Sequence, residues 1–597
     1  MRKNICKSLF AIVLACALLL PCVLMSASAA PGSYGTQDYI RVGLNYASNS
    51  LYSANLTNRL GSGFELGFYD NYGDFYTLGV VGNKNISVCV DDNLLFDPNG
   101  GYNVFNTVKG NFYLGAYHVQ LPDSYSTFEE AANSAANWSD GFVAYVNGAY
   151  VVRFGDYTTL ADARYAAGNY AGAKGVGGSS TCFTVCDTST ARILFEYDMN
   201  GDAFAVTPYS PYEEGETWFR GYIYKGGFQY TRTTQYNQGG RLAVTNFVDI
   251  DDYVAGVIPY ELSASWPIEA LKAGAVCARS FALSAGNHQT FDVCTSTDCQ
   301  VYHGVYTGVN ADNIEQAVES TSGVVAYYNG EPIQAVYSAG TGGYTESSTN
   351  TWGTNYGYLQ AKLDEFDAVA DYPGCAWRYV VTSDQVTSML RTAGKNCGTI
   401  VGMAVTKWTE VGNVLEITFV DTAGSKYTLS RDSVRLLGNI PGVTYMSRRF
   451  TITPGSNTGS PATITTVNSE TPAPSGNGTT FTVYNGQDIS TQDSLYVMTA
   501  DGIAQVSGGA TCLTSAGEEQ LGQANAAGSA VLPGSGEIRM DTSNRVSDLS
   551  YSTTWTLNGS GNGHNVGLSQ WGARNMANLG YSYEEILEYY FTGIDIY

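Results

Sequence analysis

Glu261 stands in the run Val254–Ala285, where a single carboxyl precedes a stretch of apolar helical residues. Ile258, Leu262 and Trp266 are its apolar neighbours in the chain. A carboxyl desolvated by such neighbours keeps its proton to higher pH and can serve as a general acid. On the residues alone, a surface glutamate capping the next helix is the competing role. His288, Cys294 and Cys299 follow the spacing H-x5-C-x4-C, with Asp298 and His303 close by. Imidazole and thiolate groups so spaced can complete a tetrahedral zinc site. Zinc, a Cys294–Cys299 disulfide and free thiols all remain open readings, and any metal here would hold a loop and not break bonds. Ser338 to Gly343 form a Gly-rich turn after the strand-like run Ile333–Tyr337. A phosphate cradle needs a following helix and usually a lysine, and this turn has neither. It fits better as tight backbone lining a ligand groove. Trp352 offers a flat face for stacking on a ligand, against the plainer role of a core tryptophan. Ser569 lacks the second glycine of a nucleophile elbow, so it reads as structural or ligand-binding.

The elements that must position these groups are legible in outline. Pro267 is tolerated in a first helical turn, since it has no N–H to lose there. Ile268, Leu271, Ala275, Ala278 and Ala282 recur at steps of three and four, which predicts a helix with one buried stripe. Its small alanines let another element approach closely. Arg279 lies about two turns beyond Lys272, on the same face. Both could reach a ligand or pair with acids such as Asp251 and Asp252. Cys277 sits inside this helix and reads as a small core residue.

Composition narrows the partners. The chain has 597 residues and a formal charge of −24, which excludes nucleic acid as a partner because phosphate binding needs a basic face. Its 45 tyrosines suit contact through flat rings with polar tips, although most are expected simply to pave a β-rich surface. Arg2, Lys3 and Lys7, the apolar run Leu9–Met25 and the tripeptide Ala27-Ser28-Ala29 read as a signal peptide over residues 1–29. The expectation is a secreted, extracytoplasmic protein, with a membrane anchor formed by an uncleaved signal as the alternative. Of 12 cysteines, Cys6, Cys16 and Cys22 fall in the signal. Cys182 lies close to Cys186, Cys375 and Cys397 could pair, and Cys89, Cys277 and Cys512 have no evident partner.

The chain divides by composition. Residues 30–110 are β-rich, with strands expected at Ile40–Leu44 and Asn85–Val90. Over 112–170 a strand at Tyr117–Leu121 leads to a helix at Ser126–Trp138 capped by Thr127. Strands Phe142–Val146 and Ala149–Phe154 then meet at the hairpin signal Asn147-Gly148, and a helix starts at Thr159. Residues 204–450 form a larger unit with strand-like runs at Trp218–Tyr224 and Arg241–Phe247. Residues 453–480 are a Pro/Ser/Thr/Gly linker, 481–545 a β-rich insert, and 551–597 a Gly-rich closing segment.

Two resemblances follow from quoted blocks. The β-α-β-β-α order, with YHVQL, STFEEA, GFVAYV and VVRFGDYTTLADA, resembles the SPOR domain and implies a small α+β module that binds glycan strands. The segments DIDDYVAGVIPYELSASWPIEALKAGAVCARSFAL, DVCTSTDCQVYHG, AVESTSGVVAYYNGEPIQAVYSAGTGGYTESSTNTWG with YLQAKLDEFD, and GHNVGLSQWGARNMANLGYSYEEILEYY resemble the stage II sporulation protein D and amidase-enhancer family. They span roughly 204–450 and 551–597. The resemblance implies a multidomain α+β protein whose β-rich catalytic domain carries the active-site turn on the Ala-rich helix. It also implies a lyase of sporulation or cell-wall remodelling, a peptidoglycan lytic transglycosylase that needs no cofactor for its chemistry. Glu261 would be the catalytic acid, protonating the bond between MurNAc and GlcNAc and then taking a proton from the muramic C6 hydroxyl to leave a 1,6-anhydro ring. Glycosidases that use water generally need two flanking carboxylates, whereas an internal hydroxyl lets one suffice.

Arg279, Gln300 (which matches the family's CQxY), Ser338, Gly342, Gly343, Trp352, His564, Ser569 and Gln570 are the expected substrate contacts. His288, Cys294 and Cys299 are the expected ligands of a structural zinc. Asp298 stands where some relatives carry a histidine, Thr341 departs mildly from the usual glycine-rich run, and Asn565 replaces a glycine of GxGWGHGVGMSQWG. The alternative function is a non-catalytic wall-binding activator of an N-acetylmuramoyl-L-alanine amidase. The partners implied are peptidoglycan glycan strands and, under that alternative, the amidase.

Overall fold

A computed structural model describes residues 38–97, 101–104, 113–210, 214–233, 240–286, 288–455 and 550–597, with short strand pairs between 479 and 521. The expected signal at 1–29, the body of the expected linker and most of the expected insert lie outside the described residues. Within them the architecture is mixed α+β with several sheets. No helix among the described residues is long and apolar enough to cross a membrane.

Strand pairing crosses the compositional boundaries at 110 and 170. In a seven-stranded sheet, Tyr39–Asn45 runs antiparallel to Arg241–Asp249, with Tyr39 opposite Asp249. In a ten-stranded sheet, Asn85–Val90 pairs with Phe183–Asp187. One hydrophobic core runs from Ile40 to Val318 and takes in both sheets. Cys89 therefore lies beside Cys186 on the neighbouring strand, not Cys182 beside Cys186. Chain proximity misled because four residues of extended strand hold two side chains ~13 Å apart, whereas neighbouring strands bring distant cysteines together. All the described cysteines are unbridged.

Residues 117–177 form a split β-α-β unit, strand-helix-strand-strand-helix-strand, with sheet order Lys174–Gly177, Tyr117–Tyr125, Ala149–Tyr157, Phe142–Val146. The local signals act as expected. Thr127 caps Phe128–Ala135 by accepting from the Glu130 N–H, and Thr159 caps Leu160–Ala167 likewise. Asn147 and Gly148 both take positive φ, +49° and +85°, which a two-residue hairpin with the right twist requires. This sheet continues into Ile193–Asp198, which pairs in parallel with Phe142–Val146. The face opposite the helices is covered, and His118, Arg153 and Glu196 on it are buried.

Other expectations shift. Trp218–Tyr224 is two short strands turning at Arg220-Gly221, both at positive φ. Ile333–Tyr337 is not a strand; only Glu331–Pro332 and Tyr337–Ser338 pair.

The largest departure concerns Glu261. It is the last residue of a helix, Ile250–Glu261, which Asp249 caps and which leads straight out of the strand Arg241–Asp249. Asp251 and Asp252 in its first turn complement the helix dipole. The next helix, Ile268–Ser284, is buried on nearly every side. Leu271, Ala275, Ala278 and Ala282 face the large core, and Ala273, Val276 and Cys277 face a second one. That second core contains Val566, Ala573, Met576, Ile586 and Leu587 of the closing segment. Small residues suit a helix clamped from two sides. At Gly274 a Cβ would come within 2.4 Å of Leu262, so glycine there lets the turn after Glu261 settle on the helix. Trp555 joins a third core with Trp377, Phe419 and Phe450.

Candidate functional site

Glu261 is half-buried at the C-terminal end of its helix. The backbone N–H of Val301 donates to its Oε1 at 3.1 Å, and the Gln570 side chain hydrogen-bonds it as well. Burial raises its pKa above the usual carboxylate value, while these two hydrogen bonds act the other way. The helix terminus adds to the upward push, since the negative end of the dipole disfavours a carboxylate. The groups bonded to Glu261 are thus a backbone amide and a side-chain amide, with neither a second carboxylate nor a histidine among them.

Three segments meet here. Tyr253 of the Glu261 helix donates to Gln300 Oε1 at 2.9 Å, and Gln300 Nε2 donates to the Tyr337 hydroxyl at 3.2 Å. The loop 299–304 lies against the helix because Gly256 has no side chain; a Cβ there would sit 2.6 Å from the Gly304 carbonyl. That approach delivers the Val301 N–H to Glu261. Tyr337–Ser338 pairs in parallel with Leu568–Ser569, which sets Gln570 beside the carboxyl.

The Gly-rich turn is held from behind. Asp367 accepts from the N–H groups of Gly342 and Gly343 at 2.7 and 3.1 Å and from Ser569 Oγ at 2.7 Å. Asp364 accepts from Thr341 Oγ1 at 2.8 Å and from the Tyr590 hydroxyl at 3.0 Å. Thr341 is therefore a specific partner of this acidic pair. Ser569 also caps the helix Gln570–Asn578, so it is buried and structural. Ser338 is buried, and its Oγ has no partner among the described residues.

His564 accepts from the Val566 N–H at its Nδ1 and bonds the backbone of Tyr337, so it braces a loop near Glu261. Burial, with Arg435 and Arg448 nearby, lowers its pKa to about 3. A neutral imidazole so bonded is no proton donor to Glu261. Trp352 is 38% exposed and meets His564 edge-on at 5.2 Å, which leaves it free for stacking and not in the core. Asn565 has φ +66°, a left-handed conformation that asparagine tolerates, which accounts for its standing in place of glycine. Its side chain ties Thr341 to Arg448.

Arg279 is the clear correction. It is 1% exposed, and its guanidinium is taken up by Asp251 at 2.9 Å and by the Val324 carbonyl at 3.1 Å. It buttresses the helix pair and offers nothing to a ligand. Lys272 pairs with Glu269, and Lys225 with Asp252. A hollow of about 510 Å³ between Met389, Leu436 and Pro441 touches none of these groups.

Sequence reasoning missed Tyr337, Asp364 and Asp367 as parts of the site, and Trp571 and Arg574, which pack on Trp266 of the turn after Glu261. Their signal lay in the quoted blocks, in AVYSAG, SQWGAR and LDEFD. The acids were available to be read as backbone anchors for the neighbouring glycines.

His288, Cys294 and Cys299 do converge. Their ligand atoms lie within 4.8 Å of one another, and His288 Nε2 is 3.3 Å from Cys299 Sγ. The hydrogen bond from Cys299, ahead of a second from Ser296, lowers the Cys294 thiol to about 4. A thiolate, a second sulfur and an imidazole on one point are the donor set that zinc takes.

A mixed α+β unit with one shielded acid at a helix end is the class of site that fold and geometry define. Residues 238–328 match the family model SpoIID: Stage II sporulation protein. The chain is similar to an uncharacterized protein of Brachyspira hyodysenteriae, 43% identical over 122 residues, 20% of this chain and 33% of that one. It is also similar to the Amidase enhancer of Bacillus subtilis, 29% identical over 338 residues, 57% of this chain and 39% of that one. Stage II sporulation protein D of Bacillus subtilis is 29% identical over 136 residues, 20% of this chain and 40% of that one. The matched part thus spans 33% to 40% of these relatives' own length. Together these matches support the SpoIID resemblance; the family-model span includes Glu261, Gln300 and the His288–Cys299 cluster.

Proposed function

We propose that the protein is an exported peptidoglycan lytic transglycosylase in which Glu261 is the sole proton-transfer residue. The observation that carries this is the half-buried carboxyl with a raised pKa and only amide partners. Protonated Glu261 gives its proton to the bridging oxygen as the C1–O bond breaks. The C6 hydroxyl of the same sugar closes on C1, and its proton returns to the carboxylate. Atoms and charge balance with no water and no second acid. Gln570 and the Val301 N–H orient the carboxyl, and exposed Trp352 offers the sugar a stacking face. The role in sporulation or wall remodelling rests on the family match and the relatives' names.

The zinc reading of His288, Cys294 and Cys299 belongs to the same proposal, because the imidazole joins both sulfurs, which a disulfide alone would not require. Bound zinc would brace the segment that leads to Val301 and supply no chemistry to the sugar.

A SPOR-like glycan contact at 112–170 would use helices and loops, since the sheet face opposite them is covered. Tyr165, 85% exposed, is the candidate ring.

The second reading, activation of a wall amidase without catalysis, is favoured by the longest alignment, to the protein named Amidase enhancer.

The deciding experiment incubates purified glycan strands with wild type, Glu261→Gln and Tyr165→Ala. Wild type should release 1,6-anhydro-muropeptides, Glu261→Gln should bind glycan but release none, and Tyr165→Ala should pellet less with glycan. Wild type that releases none from either denuded or peptide-bearing strands would leave the activator reading standing.

A further inference from the structure

A second cluster lies far along the chain from Glu261, on the covered face of the ten-stranded sheet. Asp91, His118 and Glu196 are 5%, 0% and 0% exposed. One ligand atom from each lies within 4.8 Å of the others. Asp91 Oδ1 is without a hydrogen-bond partner among the described residues. His118 Nε2 and Glu196 Oε1 face each other at 2.9 Å as an ion pair. A separation near 3 Å is the edge of an octahedron drawn with bonds of ~2.1 Å.

The outer atoms of the same three side chains are held. His118 Nδ1 donates to the Gly155 carbonyl at 2.7 Å, so Nε2 is the nitrogen turned toward Glu196. Glu196 Oε2 accepts from Arg153 at 2.6 Å, and Arg153 is itself fixed by Gln120 at 3.0 and 3.1 Å. Asp91 Oδ2 accepts from the Ser179 N–H at 2.7 Å. Orientation of a ligand's far side by a carbonyl, an N–H or a charged donor is the usual support for a metal-bound side chain. Leaving the buried Asp91 Oδ1 empty-handed is otherwise costly. Cys182 is near, but its Sγ turns to the Phe183 carbonyl at 3.7 Å.

We propose that Asp91, His118 and Glu196 bind a first-row divalent cation, zinc or manganese, as a structural rivet. One imidazole and two carboxylates suit such ions better than calcium. Asp91 follows the strand Asn85–Val90, His118 lies in Tyr117–Tyr125, and Glu196 in Ile193–Asp198. The ion would thus pin the split β-α-β unit to the strands beside it, and it is independent of the Glu261 chemistry.

The test uses the purified full-length chain carrying Cys294→Ser and Cys299→Ser, which removes the other cluster. The protein is stripped with chelator and dialysed against zinc chloride or manganese chloride alone, and metal per chain is measured with the melting temperature. One equivalent should bind and raise the melting temperature. Adding Asp91→Asn, which keeps the side chain's shape, or His118→Ala should lose both effects. Should His118→Ala fail to fold, Asp91→Asn decides. No bound metal in the Cys294→Ser, Cys299→Ser background, or binding unchanged by Asp91→Asn, would overturn the site in favour of a proton shared between His118 and Glu196.

Discussion

The indole rings of Trp266 and Trp571 lie 5.0 Å apart, tilted by 58°. Trp266 belongs to the turn after Glu261, and Trp571 follows Gln570, the amide that bonds Glu261. Tyr372 stacks on Trp571 at 5.3 Å, and Arg574 lies over both indoles at 5.7 and 4.8 Å. This aromatic column joins the closing segment to the turn that follows the acid.

Trp571→Ala removes the middle of that column. Aromatic pairs contribute about 1 kcal/mol each beyond area burial, so a loss of about 2 kcal/mol is expected by denaturant titration. Glycan cleavage should fall more than glycan binding, because Gln570 loses its backing. Equal loss of both would show that the column acts only on the fold.

The pH profile follows from Glu261. Its pKa is raised, chiefly by burial, so the proton needed for the first step is present below the folded value. Anhydro-sugar release should therefore decline as pH rises through that raised value. The stability this group contributes has the same sign: full below the ordinary carboxylate value, lost as pH rises through the folded one. Gln570→Leu removes a bond that favours the charged form and should move the alkaline limb to higher pH. An unmoved limb would separate Gln570 from the titrating group.

Arg279→Met should destabilise the protein by about 2 kcal/mol, since it takes a charged donor from the partly exposed Asp251 and from the Val324 carbonyl. Denaturation in urea measures the loss. KM for glycan strands should stay unchanged if Arg279 is structural, and a raised KM with intact stability would return it to the substrate.

Metal content of wild type against Cys294→Ser should differ by one zinc per chain, because the missing thiolate opens the tetrahedron. Equal zinc in the two, together with an unreduced mass lower by two hydrogens in wild type, would give the disulfide instead.

Local rules carried far in this chain. Thr127, Thr159 and Asn147-Gly148 marked their helix starts and hairpin because capping and turn chemistry act within a few residues. Asn85–Val90 was bounded correctly by its composition. The same reasoning stopped at Glu261: a helix containing Pro259 and Gly256 does not advertise itself, and its stability comes from Tyr253, Val257 and Ile258 in the core.

The sequence by itself determined which residues could do chemistry: one acid before an alanine-lined helix, a histidine with two cysteines, and a glycine-rich closing motif. Tertiary structure alone decided what each of them meets. It buried Arg279 against Asp251, brought Gln570 to Glu261 across the parallel pairing of Tyr337–Ser338 with Leu568–Ser569, and covered the sheet face that carries His118 and Glu196. The reason is physical: a side chain's charge state and reach depend on its water and its neighbours, and those are supplied by segments tens to hundreds of residues away.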